Sequence, residues 1–170
     1  MFGIGMVERA AIFSPCRQWR YTLVRIWDSE RRPAQFICLN PSTADETHDD
    51  PTVRRCINFA QTWGFGGMVM TNLFAYRATD PKQMKAAPDP VGPDNDLFLY
   101  EVAFHAGIVV AAWGVYGSYR DRDKEVLKLL GNLPVYYLTI TKDGRPGHPL
   151  YLRGGTKPIL WCPGENGRPA

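Results

Sequence analysis

Four short segments of this 170-residue chain end in side chains suited to handling a heterocyclic base: Leu39-Asn40-Pro41-Ser42, Thr71-Asn72, Trp113-Gly114 and, after "TKDGRPG", His148-Pro149. An asparagine amide presents a donor and an acceptor side by side, the pattern needed to read a pyrimidine edge. Histidine donates a hydrogen bond to an oxygen that gains negative charge, or serves as an acid or base. The prolines after Asn40 and His148 restrict the preceding residue to extended backbone, which fixes the direction of each side chain. Together these residues describe a pre-organised polar mouth. Each also has an ordinary use. Asn40 and Asn72 could serve as turn or helix-capping residues, and His148 in Gly-His-Pro could be a stiff loop residue. His48 in "TADETHDDP" stands among four acids but lacks three ligands at metal-binding spacing, and it reads as part of a solvated helix-entry loop. His105 reads as structural, and Trp19, Trp27, Trp63 and Trp161 as core or lid aromatics.

The segments that must carry these groups alternate between strand-like and helix-like patterns. "AAIFS", a turn around Pro15 and "RYTLVRIWD" read as an antiparallel hairpin, with Tyr21, Leu23 and Arg25 alternating against Thr22, Val24 and Ile26. Then short apolar runs without alternation recur: "FICLN" (36–40), "GMVMTNLF" (67–74), "GIVVAAWG" (107–114) and "VYYLTI" (135–140). Runs of this kind suit strands buried on both faces. Between them, "DPTVRRCINFAQTWG" places Val53, Cys56, Ile57 and Ala60 at helical spacing, with Asp50 as cap, Pro51 in the first turn and Gly64 as stop. "YRDRDKEVLKLLG" groups Asp123, Val126, Leu127 and Leu130 on one face and turns Arg122, Lys124 and Lys128 outward. A helix starting near Asp94 carries a stripe of Leu97, Phe98, Glu101, Val102 and His105. The order predicts a three-layer α/β/α sandwich with a central, mainly parallel four-stranded sheet plus an N-terminal antiparallel hairpin. In such sheets ligands bind beyond the carboxyl ends of the strands, where the four polar segments fall.

Bulk properties narrow the class. One domain over residues 1–162 is expected, with 163–170 as a disordered tail. The balance of 20 Lys+Arg against 17 Asp+Glu permits contact with phosphate without forming a polybasic tail. No apolar run reaches the roughly 20 residues of a bilayer span, and the N-terminus lacks a signal-like pattern. A cytoplasmic protein with no membrane partner is expected. Cys16, Cys38, Cys56 and Cys162 form no Cys-x-x-Cys pair, so reduced, mostly buried thiols and no metal site follow.

The order of the strand-end motifs resembles the uracil-DNA glycosylase superfamily over residues 36–153. "CLNPS" is similar to the "GINPG" motif of the mismatch-specific branch, which implies that Asn40 positions water and that Pro41 belongs to the base pocket. "TNLFAYRATDP" looks like a segment whose asparagine reads the base edge, a role implied for Asn72. "AAWG" is similar to "LLWG". "HPLYLR" looks like "HPSYLLR", whose histidine bonds the base oxygen as the glycosidic bond breaks, a role implied for His148. Cys38 replaces the motif glycine, Thr52 stands where the base-stacking phenylalanine is expected, and Leu150 replaces a phosphate-holding serine. No counterpart of the catalytic aspartate or of the iron–sulfur cysteines is found, so no cofactor or cluster is expected. The chain also resembles a bacterial and phage family of unknown function, through "LNPSTAD…DPTVRRC" and "NLFAYRATDP".

The resemblance implies a nucleobase-recognising N-glycosidase that acts on a modified or mismatched base in DNA or a nucleotide. Asn40 and His148 would be catalytic. Asn72, Pro41, Phe74 and Tyr151 would bind the base, with Tyr76 a further aromatic to replace the missing platform. Ser42, Arg77 and Arg153 would contact phosphate, with Arg54 and Arg55 as further candidates. A non-catalytic nucleotide-binding module and a small-nucleoside hydrolase or transferase are the alternatives. A monomer is favoured.

Overall fold

The computed structural model describes residues 8–161; the expectations for the N-terminal segment, Cys162 and the 163–170 tail fall wholly or partly outside the described residues. Strands β1 (Glu8–Phe13) and β2 (Arg20–Ile26) form the antiparallel hairpin. They are followed by β3 (Pro33–Cys38), β4 (Gly67–Asn72), β5 (Ile108–Ala111), β6 (Val135–Tyr137) and β7 (Ile159–Leu160). All join one seven-stranded sheet in the order β1-β2-β4-β3-β5-β6-β7. The pairs β4–β3, β3–β5 and β5–β6 are parallel, and the rest are antiparallel.

The sheet is therefore mixed and seven-stranded, which corrects the expectation of a central, mainly parallel four-stranded sheet. β2 pairs with β4 from Leu23↔Met70 to Ile26↔Gly67 and so extends the sheet inward from the hairpin. Its Tyr21, Thr22, Leu23 and Arg25 are all buried, as both faces of an interior strand are covered. An alternating pattern thus hid an interior strand.

Helices lie on both faces. In α1 (Pro51–Thr62), Asp50 accepts the backbone N–H of Val53 at 2.9 Å, and Pro51 fills the first turn, where no amide partner is needed. Its Val53, Cys56 and Phe59 pack with Phe36, Cys38, Met68 and Met70. The neighbouring strand residues, Ile37, Val109 and Ala111, point the other way. They meet Leu99 and Ala103 of α3 (Asn95–His105) and Val126 and Leu130 of α4 (Arg122–Leu130). A short α2 (Pro81–Ala86) follows β4.

Two helix readings change. Asn95 donates from Nδ2 to the carbonyls of Asn72 and Leu73 at 2.9 and 3.1 Å, which ties α3 to the end of β4. The helix then buries Asn95, Leu99 and Ala103 and leaves Leu97 and Phe104 exposed. Arg122, expected to point outward, is buried, because it donates to the Leu73 carbonyl and pairs with Asp96 and Glu125. No described helix is long and apolar enough to cross a membrane.

The β2–β4 pairing also depends on a close backbone approach. The Gly66 carbonyl accepts the amides of Trp27 and Asp28, and a Cβ at residue 66 would stand 2.1 Å from the Asp28 carbonyl oxygen and 2.3 Å from that of Arg31. Both are backbone atoms with little room to yield. Gly66→Ala is expected to lower stability by about 1–3 kcal/mol, read from urea unfolding; an unchanged midpoint would contradict this packing.

Candidate functional site

A strand that feeds a crossover helix releases the chain at the carboxyl edge of the sheet, so the loops after β3, β4 and β5 emerge side by side. They wall a cleft of about 470 Å³, within the range of small-molecule sites. Its floor is made of the buried residues Arg20, Cys38, Met70 and Trp113. Tyr116 and His148 stand exposed at its rim, and Asn40, Ser42, Asp50 and Thr52 line it between floor and rim.

Asn40 is oriented by its neighbours. Its Nδ2 donates to the carbonyls of Pro41 at 3.1 Å and Ala78 at 2.8 Å, and the Ala78 amide returns a bond to Pro41 at 2.9 Å. Both amide protons are spent on backbone, which leaves the side-chain oxygen as an acceptor.

His148 sits on a loop tied down at several points. The Gly147 amide donates to Thr139 at 2.7 Å, Thr141 to Arg145 at 2.8 Å, and Gly114, just beyond β5, to Pro146 at 2.8 Å. Arg145 also pairs with the buried Asp123 of α4. The Leu150 amide then donates to His148 Nδ1 at 3.2 Å. Nδ1 therefore keeps its lone pair, and Nε2 carries the proton. Loss of hydration around the ring pushes the imidazole below its usual value, against the opposing pull of Asp50. A neutral ring with an Nε2–H donor results at neutral pH.

Asp50 and Arg20 are site residues that motif reasoning missed. Asp50 spends one carboxylate oxygen on the α1 cap, lines the cleft, and attracts the charges of both Arg20 and His148. It brings to the cleft a carboxylate that comes from a helix cap rather than from a strand-end motif. The signal was available: a helix entered from β3 starts at the carboxyl edge, so its cap faces the site. Arg20 opens β2, and because β2 runs against β4 its first residue reaches that same edge. Its Nη1 donates to the Ala44 carbonyl at 2.8 Å, Nη2 contacts Met70 Sδ at 3.6 Å, and Nε has no partner. Burial pushes its guanidinium down to about 10, with Asp50 opposing. It stays charged at pH 7.

Several predicted site residues lie elsewhere. Asn72 is buried beside Cys38 in the β3–β4 register and does not line the cleft, yet neither its amide nitrogen nor its oxygen has a protein partner. Pro41 is buried and contributes its carbonyl to Asn40. Phe74 is a core residue against Tyr119, because the chain just beyond β4 stays covered. Tyr76 packs on Trp19, and Tyr151 is 94% exposed. Arg77 lies over the Phe13 ring and donates to the Arg17 carbonyl at 3.2 Å. Arg153 is exposed outside the cleft, Arg54 bonds the Asp49 carbonyl, and Arg55 lies over Phe59. Of the phosphate candidates only Ser42 lines the cleft. The aromatic at the rim is Tyr116, with the Lys85 ammonium 3.9 Å from its ring centre.

Cys38 and Cys56 are free and buried, and Cys16 is free and exposed. Burial and the contact with Cys38 push the Cys56 thiol well up. His48 is exposed and bonds locally to Asp45 and Thr47. Among the described residues no group of three or more His, Cys, Asp or Glu is placed to hold a metal ion.

The family described as protein of unknown function (DUF1643) matches residues 20–150, a span that contains Arg20, Asn40, Asp50, Asn72 and His148. No curated protein and no solved structure matches the chain.

The Leu150 bond makes a spectroscopic prediction. In ¹⁵N NMR at neutral pH, His148 is expected to show an unprotonated Nδ1 and a protonated Nε2, with a midpoint of titration below 6.5. A predominant Nδ1–H tautomer, or a midpoint above that value, would contradict the described loop.

Proposed function

We propose that this chain, which belongs to the DUF1643 family, is a nucleobase-recognising N-glycosidase that works in the cleft at the carboxyl edge of its sheet. The observation that carries the reading is convergence. Asn40 and Ser42 after β3, Trp113 and Gly114 after β5, and His148 after β6 are far apart in sequence yet surround one cavity. Thr52, at the position where the resemblance to uracil-DNA glycosylases implies a stacking aromatic, lines it too. The lost platform leaves room that Tyr116 borders, which suits a base bulkier than uracil.

Each group then has a step. The Asn40 oxygen accepts one proton of a water molecule and aims it. As that water attacks the anomeric carbon, its proton passes to Asp50, and the carbon–nitrogen bond breaks with its electron pair moving onto the base. His148 donates from Nε2 to the base oxygen on which the negative charge gathers. Asn72 does not line the cleft and takes no step here, although its buried amide beside Cys38 holds an unspent donor and acceptor.

The test is base release. The protein is incubated with DNA carrying uracil and bulkier modified bases, and with the matching nucleotides, and free base is separated by chromatography. Release is expected on at least one substrate. His148→Ala should slow it by roughly 10²–10³-fold, the loss typical of one oxyanion donor, and Asp50→Asn by roughly 10²–10⁴-fold. Neutral His148 is the active form and its proton affinity is lowered, so the rate holds at neutral pH and declines only at a pH below the ordinary imidazole midpoint. No release from any substrate, or full activity in His148→Ala, would overturn the assignment, and binding without release would make the cleft a sensor.

A further inference from the structure

Three arginines of the described chain are almost fully buried, and their partners differ. Arg25 is held by Asp49 at 2.8 Å and by the backbone carbonyls of Val24 and Asp45. Arg122 is held by Asp96, Glu125 and the Leu73 carbonyl. Arg20 has one carbonyl, one thioether sulfur and no carboxylate in contact. A guanidinium has five N–H donors, so most of those on Arg20 are unspent, including Nε. A charge buried without a partner is costly, and such an unsatisfied group calls for an explanation, of which a bound ion is one. Of the three, Arg20 is also the one that lines the cleft.

We propose that Arg20 is the anion-binding residue of the cleft floor, and that the ligand carries an oxyanion, a phosphate or a carboxylate, on the end that enters first. The inference rests on the N-glycosidase reading only in sharing its cleft. A planar fork of N–H donors suits such a group, because two parallel bonds to two oxygens satisfy both partners. Position matters as well. Phosphates of a polynucleotide run along a protein surface, whereas Arg20 lies at the buried end of the cavity, with His148 and Tyr116 at the open end. A group reaching it must be terminal. Two sources meet that requirement: the phosphate of a mononucleotide, and an acidic substituent on the base itself.

The thermodynamic signature of such a site is a trade between stability and binding. Arg20→Met removes the unpaired charge while keeping most of the side-chain volume. The variant without ligand is expected to melt at or above the wild-type temperature, since apolar replacement of a buried charge is neutral or stabilising. A structural role for Arg20 predicts the reverse.

Binding is measured by calorimetry on the full chain with four probes: inorganic phosphate, uridine, uridine 5′-monophosphate and 5-carboxyuridine. An anionic probe should bind about tenfold or more tighter than uridine, as charge-assisted bonds imply. Preference for the monophosphate assigns the anion to a nucleotide, and preference for 5-carboxyuridine assigns it to the base. Arg20→Met should abolish that preference and Arg20→Lys should keep part of it. Should Arg20→Met fail to fold, the wild-type Arg20 Nε–H signal in a ¹H–¹⁵N spectrum serves instead, and it should shift on addition of the preferred probe. Equal affinity for uridine and every anion, an unmoved Nε–H signal, or an unchanged preference in a folded Arg20→Met would overturn the inference. The two readings fail separately: base release from neutral nucleosides with no anion preference sinks this one, while Arg20-dependent phosphate binding with no base release sinks the glycosidase.

Discussion

The parallel pairing of β3 with both β4 and β5 is the constraint from which the rest follows. Parallel neighbours cannot be joined by a tight turn, so each connection must cross the sheet through a helix and return. That requirement places α1 on one face and α3 on the other, and it collects the exits of β3, β4, β5 and β6 on one edge. The cleft is a consequence of this topology. Its residues come together because the ladder forces them to, although they are scattered over more than 120 positions of sequence.

The antiparallel strand β2 completes the arrangement from the opposite direction. Its start, rather than its end, lies at the carboxyl edge, which delivers a cation where the parallel strands deliver amides and an imidazole. The edge thus combines an acceptor on Asn40, a carboxylate on Asp50, a neutral N–H donor on His148 and a buried guanidinium on Arg20. Two of these, Asp50 and Arg20, attract each other across the cavity without forming an ion pair in contact. That leaves polarity of both signs available to a ligand.

Much of this was legible in the residues. The apolar runs marked β3 to β6, the Asp50-Pro51 pair marked the start of α1, and the strand-end rule placed Asn40, Ser42 and His148 at one mouth. What escaped depended on long-range pairing. Nothing local shows that "RYTLVRI" joins the interior of the sheet, so Arg20 read as a hairpin residue. Arg122 read as a solvent-facing charge because its carbonyl partner, Leu73, lies 49 positions away in the chain. Phe74 and Tyr151 were chosen by type as aromatic platforms, and burial and exposure respectively took them out of the cleft. Helical spacing also misjudged α3, whose rotation is set by the Asn95 bonds to β4 rather than by its apolar stripe.

The most direct test of the account is a crystal structure of the protein with a nucleoside monophosphate bound. The account predicts the ligand inside the cleft, its base within hydrogen-bond reach of His148 Nε2, its glycosidic carbon facing Asn40 and Asp50, and its anionic end on Arg20. A ligand bound elsewhere on the molecule, or seated in the cleft with no contact to Arg20 or His148, would contradict it.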